Sequence, residues 1–236
     1  MSLSEDRKRT LLLVGILGVV LGTGLVQYLW QQKREAAAVA QANRPEARAQ
    51  AALQDADRAT LAHDLGAADQ ALLRAREALD AVLLERPTDE GALRSRLVVA
   101  RRLANVAEQA GRAAQAREHL SDAWRRAQAL FEAQRTGERA RLDLLTVARE
   151  LAAVLDRAGE HSAAAQRTEE AAKAVEGSLK GLTPPHTVRL ALVDTWEAAA
   201  RGHGAAKTAD AAIAAARQAI AHAEGAVKTS DQPAVA

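Results

Sequence analysis

The 236 residues suffice for one domain of moderate size with an appendage, and 32 basic against 30 acidic side chains leave a formal charge of only +2. Three tryptophans, one tyrosine and one phenylalanine offer little for bases to stack on, and no region carries a sustained basic excess, so nucleic acid is not an expected partner. With no cysteine, the chain has no disulfide, no thiolate nucleophile and no cysteine metal site, although this says nothing about compartment.

Alanine, leucine, glutamate, arginine and glutamine dominate, and strand formers are sparse, so the composition predicts an all-α protein. Residues 1–10 form a polar N-terminal tail ending in Arg7-Lys8-Arg9. Residues 11–30, LLLVGILGVVLGTGLVQYLW, carry no formal charge. As a helix they extend about 30 Å, the depth of a bilayer core, which predicts a single-pass transmembrane segment in contact with lipid. Tyr28 and Trp30 close it where aromatic belts form, and Lys33-Arg34 follow at headgroup depth. Ala38-Val39-Ala40 meets the small-x-small rule for cleavage, but the apolar run exceeds a signal core and charges intervene, favouring an uncleaved anchor. Three basic residues precede the span and four (Lys33, Arg34, Arg44, Arg48) follow it closely, so charge does not decide orientation. The short tail favours an N-terminus inside, with the following domain extracytoplasmic and, in a bacterium, periplasmic; the reverse stays open. Gly18 and Gly22 form a GxxxG notch through which two spans can approach, an expected route to a homo-oligomer.

Residues 31–45 read as a juxtamembrane helix or linker ending at Pro45. From 46 to 228 the pattern predicts four helix pairs: 46–64 with 67–86, 89–110 with 112–134, 138–158 with 161–181, and 186–201 with 205–227. Residues 229–236 read as a disordered tail. A ladder of small residues punctuates the pairs. Gly66, Gly111, Gly159 and Gly204 are each followed by alanine five residues on (Ala71, Ala116, Ala164, Ala209) and twelve residues on (Ala78, Ala123, Ala171, Ala216). The intervals of 45, 48 and 45 residues mark a helical solenoid. Each glycine is expected to close one helix in the left-handed conformation, and each alanine pair to seat the next helix closely. The first helices supply larger residues: Leu97, Val99, Leu103, Val106; Leu145, Val147, Leu151, Val154; and, in the fourth pair, Leu190, Leu192, Trp196, Ala199. Trp124 and Phe131, seven apart, are expected to fill the seam between the second and third pairs.

Leu103-Ala104, Gly111, Ala116, Ala123 and Leu151-Ala152, Gly159, Ala164, Ala171 resemble the tetratricopeptide repeat (TPR), in a long-repeat form. Gly204, Ala209 and Ala216 match in part, and the first pair keeps only its glycine and alanines. The intervals exceed the family's usual length, and its large aromatics and closing proline are mostly absent. The resemblance implies a TPR-like α-solenoid that binds proteins. Its longer-repeat relatives include domains attached to some bacterial serine/threonine kinases, and the layout of tail, span and repeats is similar to that of bacterial proteins assisting at the secretion channel.

No phosphate-cradling GxxxxGK[ST], GxSxG or HExxH motif occurs, and His63, His119, His161, His186, His203 and His222 are scattered. The chain therefore reads as non-enzymatic, with no catalytic, cofactor or metal residues. The repeat register places Arg101, Asn105, Glu108, Arg149, Arg157, Asp194 and Arg201 on the inner curve of first helices, where arginines suit the carboxylates or carbonyls of an extended peptide. Arg101 with Asn105 resembles the start of the family's carboxylate clamp, but Glu150 stands where the clamp requires an amide. The function these features point to is a membrane-anchored scaffold or adaptor binding an unidentified protein. A structural stalk without a peptide groove, and an accessory to secretion or to kinase signalling, are the alternatives.

Overall fold

The computed structural model describes residues 44–230 and, ahead of them, positions 30, 33, 34 and 41. The span at 11–30 with Gly18 and Gly22, the site at Ala38-Val39-Ala40 and residues 231–236 lie outside the described residues, Trp30 excepted. Among the described residues no helix is long and apolar enough to cross a membrane. The chain divides into two units, residues 1–48 and 49–236, and the first helix begins at the end of the former.

The described residues form eight α-helices: α1 Pro45–Leu61, α2 Leu65–Glu85, α3 Glu90–Gln109, α4 Ala113–Ala133, α5 Glu138–Arg157, α6 His161–Ser178, α7 His186–Ala205 and α8 Ala209–Ser230. Short turns join helices that pack on their sequence neighbours, so each runs antiparallel to the one before. First helices also stack on first helices, α5 against α7. The described residues are an all-α repeat of four antiparallel pairs.

The turns within the pairs correct the expected ladder. Gly111 and Gly159 do take the left-handed conformation, with φ of 71° and 79°. In the first and last pairs that role falls to His63 (φ 56°) and Lys207 (φ 59°), not to Gly66 and Gly204. Gly66 lies in the first turn of α2, and α7 runs on through Gly204 to Ala205. All four turns make the same two backbone bonds. His63, Gly111, Gly159 and Lys207 donate to carbonyls three residues back, and Asp64, Arg112, Glu160 and Thr208 donate to carbonyls five residues back, at 2.8–2.9 Å. This is a Schellman closure repeated at 63, 111, 159 and 207. The structural period is therefore a uniform 48 residues, and the second helices start at Leu65, Ala113, His161 and Ala209 in the same step.

A three-residue slip escapes notice in the sequence because positions i and i+3 share a helix face. In α2, Ala71 and Ala78 are buried, but so are Ala68 and Ala75, the true equivalents of Ala116 and Ala123. In α8 the slip has a cost. Ala209 is exposed and Ala216 half-buried, while Ala215, Ala219 and Ala226 are buried. Leu190, assigned to the core, is 46% exposed. The uniform period aligns Val99, Leu103 and Val106 with Thr195, Ala199 and Gly202, all buried. At Gly202 an added Cβ would stand 3.0 Å from Ala165 Cβ and 3.1 Å from His161 O, so α7 and α6 meet there backbone to backbone.

One apolar cluster joins α1, α2 and one face of α3, through Leu72, Leu79, Val99 and Leu103. A larger one runs from the other face of α3 to α8, with Trp124 and Phe131 buried in it as expected and Leu144, Leu145, Leu192 and Trp196 beside them. Many closely seated alanines, each burying little, replace a single large centre. Buried Arg96 ties three helices together, its Nε 2.8 Å from Asp80 of α2 and its Nη1 3.1 Å from Asp122 of α4.

Candidate functional site

Helices α3, α5 and α7, stacked in order, leave a run of adjoining clefts along their exposed edges. One cleft of about 250 Å³ lies between α5 and α7 and includes Arg149, Asp194 and Arg201. It shares Ala153 with a cleft of about 380 Å³ between α3 and α5, lined by Arg101, Asn105, Glu108 and Arg157. That one shares Asn105, Glu108 and Arg157 with a third, of about 650 Å³, at the turn into α4. All seven residues singled out in the sequence thus line this row of adjoining clefts, which form the groove of the first helices.

The third cleft is the roomiest because its walls are small. Gly111, Ala113, Ala114 and Ala158 surround Val154, with Asn105, Glu108, Gln109, Arg117 and Arg157 as the polar rim. Nothing in the sequence separates these alanines from the many that pack helices. Ala113, Ala114 and Ala158 are exposed, and only the Schellman geometry at Gly111 and Gly159 brings them to one place.

The groove's arginines already hold carboxylates. Arg101 grips both oxygens of Glu150, Arg157 binds Glu108, and Arg149 binds Asp194, each pair bridging successive first helices. Glu150, noted in the sequence only as a departure from a clamp, is the partner that occupies Arg101. The hydrogen bond from Arg101 to Glu150 outweighs partial burial and raises the guanidinium above its ordinary value. Arg201 is different: its nearest carboxylate is Glu197 on its own helix, at 3.9 Å. Asn105 accepts a hydrogen bond from Gln109 at 2.9 Å and is otherwise exposed. Exposed pairs of this kind contribute about 0–1 kcal/mol each, and a ligand's carboxylate or amide competes with them at little expense. Arg102, pairing with Asp57 of α1, extends the same lattice and was not singled out in the sequence.

Away from the groove, Asp143 sits half-buried on α5, where burial lifts its carboxyl above the ordinary range against the nearby charges of Arg139, Arg94 and Arg101. Glu169 of α6 moves the other way: the hydrogen bond from Lys173, with a further one from His203, lowers it despite some burial. His222 and the Trp196 indole nitrogen both lie 2.7 Å from Glu176 Oε1, fixing α8 and α7 to α6.

No family model matches this chain, and no curated protein does. Among solved structures, one titled crystal structure of MamA protein aligns over 80% of this chain and 98% of its own, at 14% identity and a TM-score of 0.41. BtubC (BKLC) from P. vanneervenii aligns over 81% of this chain and 94% of its own, at 13% identity and a TM-score of 0.29. Neither superposition is close enough to bear on architecture or partner.

Proposed function

We propose that this chain is a non-enzymatic, TPR-like scaffold that holds an extended segment of a protein partner in the α3–α5–α7 groove. Residues 11–30 tether it to a membrane, with the repeat domain on the extracytoplasmic side. The observation that carries the proposal is the groove's composition. A small-walled apolar cleft continues into a strip of exchangeable ion pairs, which suits an extended peptide with one apolar side chain and flanking charges. The tether raises the local concentration of the domain for clients at the same membrane, as accessory roles in secretion or signalling require.

A second reading, a structural stalk, draws on the same arginines. Because Arg101, Arg149 and Arg157 each bridge two repeats, their role in stiffening the stack accounts for their presence without any ligand. Filling the apolar cleft separates the two readings. Ala114 is exposed, so Ala114→Phe should leave folding intact while blocking the cleft. With a photoreactive residue at Asn105 of the full chain, the scaffold reading expects a discrete cross-linked partner that disappears in Ala114→Phe. Cross-linking that persists in that variant, or that matches a photoreactive residue at outward-facing Gln218, supports the stalk. Protease accessibility in intact cells reports the orientation.

A further inference from the structure

The uniform period identifies a seam that is buried along its whole length in the third repeat and over most of it in the second, and that the last repeat leaves exposed. On α8, Ile213, Ile220 and Val227 recur every seven residues and are 52%, 58% and 61% exposed. One period earlier stand Ala165 and Ala172 of α6 and Leu179, which caps it, all buried where α7 packs over them. One period before that, Trp124 and Phe131 are buried beneath α5, while the third position is exposed Arg117. The α8 stripe is therefore the face on which these repeats receive the next helix, and no helix among the described residues covers it. It is also wider than three side chains. Half-buried Ala216 and Ala223 alternate with the larger residues, giving the large–small a/d seam of a helix that packs closely against another.

The opposite end of the array does not complement this seam. The α1 positions one period before Val99, Leu103 and Val106 are Ala51, Asp55 and Arg58, and Asp55 is ion-paired with Arg58 and Arg74. Head-to-tail stacking would drive those charges into the apolar stripe, at a large desolvation cost. The α8 seam does complement itself. With Ile220 set against Ala223 of a second helix running antiparallel, Ala216 meets Val227. Arg217, exposed at the seam's edge, then lies beside Glu224, exposed on the same edge, and does so twice. A parallel arrangement instead sets Arg217 and Glu224 against the partner's Ala212 and Ala219 positions and makes no such pair. We propose that α8 is a dimerisation helix that pairs antiparallel with α8 of a second copy about a two-fold axis. The contact is isologous, so it closes at two copies and does not propagate.

The absence of cysteine makes a register-specific test clean. Full-length chains carrying Arg217→Cys and Glu224→Cys are prepared separately, mixed, and oxidised with copper phenanthroline. The proposal expects a disulfide between the two variants well in excess of that within either alone, and little from Gln218→Cys on the outer face. Adding Ile220→Glu to both chains should lower the cross-linked fraction at least about tenfold, since a charge replaces apolar contact on both copies. Because Ile220 is mostly exposed, circular dichroism should show the same thermal unfolding as the parent. Equal cross-linking from all three cysteine positions, preferential Arg217→Cys self-linking, or insensitivity to Ile220→Glu would overturn the proposal; association through the membrane span alone gives the first and third of these.

Discussion

The two left-handed turns lacking glycine, at His63 and Lys207, offer a test of the 48-residue period that the ladder of glycines does not pass. A residue with a Cβ in that conformation is strained by about 1–2 kcal/mol, and glycine is not. His63→Gly and Lys207→Gly should each recover part of that strain, less the entropy glycine adds to the unfolded chain, for a net gain of about 0.5–1 kcal/mol. His203 Nδ1 lies beside Thr208 at the fourth turn, but neither it nor His63 and Lys207 provides a bond that these exchanges break in the backbone closure. Gly111→Ala and Gly159→Ala impose the strain instead: a Cβ would meet no atom within 4 Å at either site, so conformation alone sets a loss of about 1–2 kcal/mol. Gly204→Ala places a better helix former on an open helical surface and should stabilise by about 0.5–1 kcal/mol. At roughly 2–4 °C per kcal/mol for a domain of this size, thermal scans of the six proteins, parent included, resolve three classes. If Gly204→Ala melts as low as Gly159→Ala, or Lys207→Gly fails to exceed the parent, the turns have been misplaced and the 45-48-45 ladder is the better description.

Other expectations follow from particular contacts. Gly202→Leu should destabilise by about 1–3 kcal/mol or more, because even a Cβ there meets α6 backbone at 3.1 Å; urea unfolding measures it, and an unchanged midpoint would contradict the close α6–α7 approach. Arg96→Ala removes the buried cation between Asp80 and Asp122 and should cost about 2–4 kcal/mol, whereas Arg157→Ala, which breaks an exposed pair in the groove, should cost less than about 1 kcal/mol. Glu169 and Asp143 should shape acid unfolding in opposite senses. The lowered value of Glu169 gives a contribution present above the ordinary glutamate range and lost as pH falls through its folded value, so Glu169→Gln should flatten the stability curve there. The raised value of Asp143 makes its ionised form unfavourable, so its contribution is fully present below the ordinary aspartate range and lost as pH rises through its folded value. Asp143→Asn should therefore be the more stable protein at neutral pH and show no advantage in acid.

Helix identity and pairing were legible because apolar spacing and glycine placement are local signals, and the two central turns, where glycine does what glycine is best at, were placed to the residue. The outer two were not, since a Schellman closure is defined by backbone bonds that any residue can accept at some strain, and His63 and Lys207 leave no mark in composition. The displaced ladder then hid what mattered most at the C-terminal end. With a 45-residue step, α8 appeared to present Ala209 and Ala216 to the core and Leu190 appeared buried. With 48, Ile213, Ile220 and Val227 fall on the seam that α7 covers one repeat earlier, at Ala165, Ala172 and Leu179. The groove shows the reverse asymmetry. Its charged residues were placed on the first helices from sequence by the repeat register, yet their pairing was not, because Arg101 with Glu150 and Arg157 with Glu108 are separated by 49 residues and meet only when the stack forms. Its apolar cleft was invisible, being made of alanines in a chain full of them. A repeat protein displays in its sequence what recurs, and both surfaces that distinguish this one, the alanine-walled cleft and the exposed seam of α8, become visible only once the turns fix the register of the helices.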